Sequence, residues 1–358
     1  MTEQNCAEEK ETQGRVLYYD VLRILATLFV VVIHVTSGGW GAVSVNTAEW
    51  QIMNVFQSAA RWSVPVFAMI SGALFLDRDI PIRKIYSRYI LRLVLSFAAW
   101  SAVYAVSFYF FGKEPSLKNL ITSFFKGHFH LWFIYMIIGL YMIIPFLKKI
   151  VSNEKLTQYF LLLSFVFALV IPQAINSIKM FSSNYGDWIE QVINQAHLKF
   201  VLGYSFYFVA GYYISKNTIS SRQCIIMCIT GLAGFILTAV STSVASISKG
   251  TGTQVFYDYL TMNAALEAVC AFAVLKKLLS GKTFKGRFGL AVRELSKYTF
   301  GIYLVHVLVI TVFIRLGVTA LSFNPLISIP AISILVFIIS GIISAVLNHI
   351  PIVRDYLV

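Results

Sequence analysis

The stretch YYDVLRILATLFVVVIHV, residues 18–35, is apolar enough to cross a membrane, yet it contains Asp20, Arg23 and His34. An arginine near the middle of such a helix costs about 2.5–3.5 kcal/mol on insertion scales, less when its head group snorkels to the interface. At about 100° per residue, with Asp20 taken as zero, Arg23, Thr27 and His34 fall at roughly −60°, −20° and −40°. All four polar side chains thus share one narrow arc, and the other residues from Val21 to Ile33 are apolar. Ionisable groups so placed belong against a protein interior or an internal cavity, not against lipid. Arg23 and His34 lie about 16 Å apart along the axis, too far to pair on a straight helix. Asp20, three residues before Arg23, can reach it. Two readings stay open: a structural ion pair with a histidine at the helix end, or a cavity spanning most of the membrane. The second would hold an anion at Arg23 and move a proton at His34.

The whole chain fits the same solvent. Of 358 residues, 58% are hydrophobic and 13% are charged, against about 45–50% and about 25% in soluble domains. The expected fold is all-α, a polytopic membrane protein. The formal charge of +13 comes without a zinc-finger spacing, an RNA-binding signature or a basic recognition helix, so nucleic acid is not an expected partner. Cys6, Cys224, Cys228 and Cys270 form no CxxC pair, which argues against a disulfide framework or a structural zinc site.

A crossing helix needs roughly 20 mainly apolar residues. Ten segments meet this, near 17–36, 52–76, 86–111, 131–147, 157–175, 198–215, 224–246, 256–275, 298–316 and 326–347. The expectation is therefore about ten transmembrane helices over residues 16–350. A disordered tail (1–15) would precede them and a short tail (351–358) would follow. Lysine and arginine set the orientation. One set of loops holds sixteen of them: four at 78–88, three at 148–155, Lys216 and Arg222, and seven at 276–297. The opposite loops hold five: Lys113, Lys118, Lys126, Lys179 and Lys249. Both termini are then cytoplasmic. No loop is long enough for a separate catalytic domain, so any chemistry belongs to the bundle.

Four segments carry a family resemblance. Arg23 and His34 stand in an Arg-x10-His pattern; WQIMNVFQSAARWSVPVFAMISGALFL (50–76) ends a Pro-hydrophobic run in Ser-Gly. FHLWFIYMIIGLYMIIPFL (129–147) contains His-Leu-Trp, and SKYTFGIYLVHVLVI (296–310) contains Gly-Ile-Tyr-x-x-His. In this order they resemble the acyltransferase 3 family of integral membrane acyltransferases, with the closest likeness to its enterobacterial common antigen O-acetyltransferase branch. The resemblance implies transfer of an acyl group, usually acetyl from acetyl-CoA, to a hydroxyl of a cell-surface or lipid-linked carbohydrate, in the bacterial cytoplasmic membrane. It implies that His34, Arg23 and His306 are catalytic. Thr299, Tyr303 and His306 fall within about 60° of one another on their helix, which would aim His306 at the same cavity.

Lys84, Arg88 and Arg92 form an i, i+4, i+8 basic stripe where a helix begins. A phosphate-rich ligand such as CoA would suit both these cations and the exposed N–H groups, although positive-inside bias alone also explains them. The family usually has Arg-x-x-Arg here; this chain has Arg88-x-x-x-Arg92. The basic loop 276–297 is a second candidate for gripping CoA, and topology alone explains it too. Arg61, at a depth similar to His34, is a candidate to orient acceptor or stabilise an oxyanion. Asp20, Tyr303, His130, Trp132 and Glu267 are candidate substrate contacts, with Glu267 outside every matching motif. His128 and His130 could suggest a metal pair, but no carboxylate is near and a metal site wants a third ligand; packing or acceptor contact is the expectation, with no metal. The aromatics Trp40, Trp50, Tyr185 and Trp188 could stack on sugars or form an interfacial belt.

The rival function is a permease for a small solute. Relatives occur as membrane portions of serine racemases tied to glycopeptide resistance, so a serine-handling module is the specific alternative. Against it, the sequence has no visible inverted repeat or matched interrupted segments.

Overall fold

The computed structural model describes residues 16–111, 116–181, 186, 187, 190, 203–282, 284 and 286–358. The expected tail 1–15 with Cys6, and Lys113, Tyr185, Trp188 and Lys285, lie outside the described residues. In chain order the main helices are α1 (Leu17–Ser37), α2 (Ala48–Ala59), α3 (Ser63–Phe75), α4 (Leu91–Phe111), α5 (Leu117–Lys126), α6 (Trp132–Met142), α7 (Ile144–Val151) and α8 (Glu154–Ser164). They continue as α9 (Ile171–Phe181), α10 (Ser205–Lys216), α11 (Ser221–Lys249), α12 (Met262–Leu279), α13 (Gly286–Arg315), α14 (Pro325–Asn348) and α15 (Pro351–Tyr356). No strand occurs among the described residues. In lipid this is expected, because a helix satisfies its backbone polar groups within itself.

Seven spans among the described residues are long and apolar enough to cross a membrane: Leu17–Ser37, Ala48–Phe75, Ile82–Phe110, Glu154–Lys179, Ser221–Lys249, Gly286–Arg315 and Pro325–Asn348. An eighth is the pair Leu117–Met142 and Ile144–Val151, bent by 58°. Pro145 follows that break in the first turn of α7, where its missing N–H costs nothing. One of the ten expected crossings falls short on these terms. α12 is 18 residues long but carries Glu267, Lys276 and Lys277. Of the segment expected at 198–215, residues 198–202 lie outside the described residues, and the described part forms the 12-residue α10.

The second expected helix is one span with a break at Ala60–Trp62, between α2 and α3. Arg61 sits in that break. α1 is the hub: α2, α3, α12, α13 and α14 all pack against it. Protein on so many sides is what lets Asp20 be buried to 1% exposure. α3 and α10 cross at backbone distance. A Cβ at Gly72 would stand 1.7 Å from the Phe208 carbonyl oxygen, and one at Gly211 would stand 2.0 Å from that of Met69. Small residues are the usual means of such close crossings in membranes. The Gly of the Ser-Gly motif is thus a packing residue, and Ser71 before it faces the interior cavity.

Candidate active site

A cavity of about 200 Å³ runs through the bundle and is lined by both Arg23 and His34. Its walls come from helices that contribute residues in register. α1 gives Arg23, Val30, Ile33 and His34, and α3 gives Val64, Phe67, Ile70 and Ser71. α6 gives Trp132, Phe133, Ile137 and Tyr141, and α13 gives Thr299, Phe300 and Tyr303. Each set falls on one face of its helix. The cavity therefore follows the helix axes as a shaft, with an Arg23 end and a His34 end. Its lining is mostly apolar, with polar groups gathered at the two ends.

At the His34 end, His34 Nδ1 lies 2.7 Å from His306 Nε2. Their rings are nearly parallel, at 20°. His306 Nδ1 faces two carbonyl oxygens, of Tyr303 at 2.7 Å and Ile302 at 3.2 Å. Carbonyls only accept, so we assign the proton of His306 to Nδ1, which leaves Nε2 as an acceptor. His34 must then donate from Nδ1, and its Nε2 keeps a free lone pair. A half-buried imidazole on the cavity wall is thereby held in the tautomer that can take a proton. Sequence periodicity placed His306 on the cavity wall beside His34. Instead it is fully buried behind His34 and acts on the cavity only through it, because its ring is turned to its own helix backbone.

His130 lines the same end. Its Nδ1 lies 3.0 Å from His128 Nδ1, and its buried Nε2 has no hydrogen-bond partner. The Tyr303 hydroxyl donates to the His130 carbonyl at 2.5 Å, so Tyr303 offers the cavity its ring and not its hydroxyl. Trp132 and Tyr259 stack at 5.8 Å with an interplanar angle of 22°, and both line the cavity. Nothing in the sequence singled out Tyr259. It stands in the connection between α11 and α12, and only the fold brings it to the shaft. No set of three or more His, Cys, Asp or Glu side chains with metal-holding geometry occurs among the described residues.

At the Arg23 end, Arg23 Nη1 is 3.4 Å from Asp20 Oδ1, and the Ser296 hydroxyl donates to the same oxygen at 2.7 Å. Asp20 is thus turned toward α13 and its guanidinium neighbour, while Arg23 faces the shaft. Thr27, on the same arc, donates to the Arg23 carbonyl at 2.7 Å and is satisfied within its own helix.

Five candidates are placed elsewhere. Arg61 donates from Nε to the Gln57 carbonyl and from Nη1 to the Tyr257 carbonyl, both at 3.1 Å. It lies 4.2 Å over the Tyr257 ring and 5.7 Å from that of Tyr259, one aromatic ring from the shaft. Glu267 borders a separate pocket of about 280 Å³ with Trp62, Phe235 and Cys270, and accepts from the Thr238 hydroxyl at 3.1 Å. Lys84 ends a single helical turn, Ile82–Lys84, before a π-helical segment at Ile85–Ile90. Arg88 and Arg92 line a cleft of about 770 Å³ beyond it, and Lys84 does not. A π-turn closes i→i+5 hydrogen bonds and so absorbs one residue more than an α-turn. It sits where the spacing of the two arginines is one residue longer than the family's.

Fold and site together define a helical membrane protein with a histidine site at one end of an interior shaft. Residues 16–345 match the acyltransferase 3 family over its acyltransferase domain, and the chain belongs to that family. It is a membrane acyltransferase, and the match does not favour the permease reading. No curated protein and no solved structure matches it.

Proposed function

We propose that this protein moves an acyl group, acetyl in the simplest case, from acyl-CoA to a hydroxyl of a surface or lipid-linked carbohydrate, as an O-acyltransferase of the bacterial cytoplasmic membrane. The observation that carries the reading is the shaft joining Arg23 to His34, with a lone pair of His34 presented to it. At about 200 Å³ the shaft is smaller than the ~300–1,000 Å³ of drug-sized pockets. It suits a slender chain such as the pantetheine arm, and the bulky nucleotide stays outside, at the cleft of Arg88 and Arg92. The loop charges put that cleft on the cytoplasmic side, where acyl-CoA is made. The His34 end then faces the acceptor.

In this scheme His34 Nε2 takes the proton of the acceptor hydroxyl as its oxygen attacks the thioester carbonyl. The C–O bond forms, the C–S bond breaks, and the imidazolium returns its proton to the departing thiolate. No external acid or base is consumed. His306 accepts from His34 Nδ1 throughout and stabilises the imidazolium. General-base catalysis of this kind contributes about 10²–10⁴-fold, and holding two reactants in one shaft contributes further. The Trp132 indole N–H and the Tyr259 hydroxyl have no hydrogen-bond partner among the described residues, and they are the groups we assign to the developing oxyanion. Arg61, its donors committed to carbonyls, supports the Tyr257–Tyr259 segment. The likeness to the enterobacterial common antigen branch favours a glycan acceptor.

The test uses purified protein in detergent with radiolabelled acetyl-CoA and a lipid-linked sugar. Transfer of label proceeds without sealed vesicles, whereas a permease needs a closed compartment.

A further inference from the structure

The segment 351–358 lies beyond the family match, which ends at residue 345, and its sequence reads as a simple tail. In the structure it folds back onto α4. Three side chains of α4, at i, i+4 and i+8, grip its backbone. The Trp100 indole donates to the Leu357 carbonyl at 2.9 Å and the Ser96 hydroxyl to the Tyr356 carbonyl at 2.9 Å. The Arg92 guanidinium donates to the terminal oxygen of Val358 and to the Arg354 carbonyl. Ser96 is fully buried and Val358 is 3% exposed, so the strap is docked and not merely adjacent.

The docked strap forms part of the wall of the 770 Å³ cleft. Arg88 and Arg92 line it from one side, Lys297 and Asn348 from α13 and α14, and Arg354 and Asp355 from the strap. Arg88, Arg92, Lys297 and Arg354 thus face two carboxylates, those of Asp355 and of the terminal Val358. Lys297 and Arg354 each hold a carboxylate at 2.8 Å, on Glu294 and Asp355 respectively. Arg92 is held by the Arg354 carbonyl and by the terminal oxygen of Val358. A cleft of this volume with a cationic excess suits a ligand bearing several phosphates, and guanidinium forks match phosphate oxygens in geometry.

We infer that the 351–358 strap completes a polyphosphate-binding cleft at the Arg23 end of the shaft, with Arg354 supplied by the strap as a phosphate contact. The inference rests on the acyl-CoA reading above, which puts the phosphates of CoA in this cleft. The strap makes this site a composite of α4, α13, α14 and a segment outside the matched domain.

The test is equilibrium binding of CoA and dephospho-CoA to the purified full chain in detergent. The variants are R354Q, R354E and the grip-loosening pair S96A/W100F, with K249Q as charge control. R354Q changes only an exposed side chain and leaves folding alone. The expected result is a CoA Kd raised about 3–10-fold in R354Q, further in R354E, and raised in S96A/W100F at unchanged charge, with K249Q like wild type. Equal CoA affinity in wild type, R354Q and R354E overturns the inference and leaves acyl-CoA as donor. It is equally overturned if R354Q keeps its CoA affinity but loses binding to anionic-lipid nanodiscs, which would make the cleft a headgroup site. Absence of CoA binding by wild type sinks the donor reading itself, and this inference with it.

Discussion

His306 stands directly behind His34, its Nε2 2.7 Å from the Nδ1 of a residue 272 positions earlier in the chain. The carbonyls of Ile302 and Tyr303 fix the tautomer of His306, and His306 in turn fixes that of His34. His306→Ala should therefore lower kcat about 10–100-fold, the usual cost of losing the partner that orients a functional histidine, with KM for acyl-CoA unchanged. His306→Gln, whose side-chain oxygen can accept from His34 Nδ1, should recover part of that loss. Steady-state kinetics on the three proteins checks both. A KM effect without a kcat effect would assign His306 to binding.

His34→Ala should remove the general base and lower turnover by about 10²–10⁴-fold. The helical circular dichroism and gel-filtration profile should match wild type, because His34 is only half-buried and its loss opens space and breaks no helix. Near-normal turnover would exclude His34 as the base.

Val30 lies on the shaft wall between Arg23 and His34. Val30→Phe should plug the shaft and abolish transfer while CoA still binds at the outer cleft. Binding and turnover measured on one preparation separate these outcomes. Loss of both together would mean that the cofactor does not thread the shaft.

Tyr259→Phe deletes one hydroxyl and leaves the stack on Trp132 intact. As an oxyanion donor that hydroxyl should be worth roughly 10²-fold in kcat, with little change in KM. An unchanged kcat would remove Tyr259 from the chemistry.

Gly72→Ala should prevent correct assembly, since its Cβ would meet a backbone oxygen at 1.7 Å and neither helix has a flexible side chain there to yield. A cost of about 3 kcal/mol, at the upper end for overpacking, is the expected minimum. Fluorescence-detected gel filtration of a tagged protein should show aggregate in place of the monodisperse peak.

The fold class was legible from residues 18–35 and the segments like it, because a membrane admits apolar helices and leaves few alternatives. The polar arc of α1 was legible too, since 3.6-residue periodicity alone puts Asp20, Arg23 and His34 on one side. The same periodicity does not say what a side chain finally bonds to. It therefore set His306 on the cavity wall instead of behind His34, and set Thr27 toward the cavity although its hydroxyl turns back to the Arg23 carbonyl.

What the sequence determined by itself is thus local: which segments are helical, which face of each is polar, and where charge collects. Only the tertiary structure decided which faces meet. It brought the His34 and His306 rings together and set Tyr259 into the shaft, it gave Glu267 a pocket of its own, and it bent residues 351–358 onto Arg92, Ser96 and Trp100. The physical reason is that helix periodicity acts between neighbours in the chain. Pairing between residues hundreds of positions apart depends on how helices cross, and those crossings are set by contacts such as Gly72 against Phe208, whose partner no sequence pattern names.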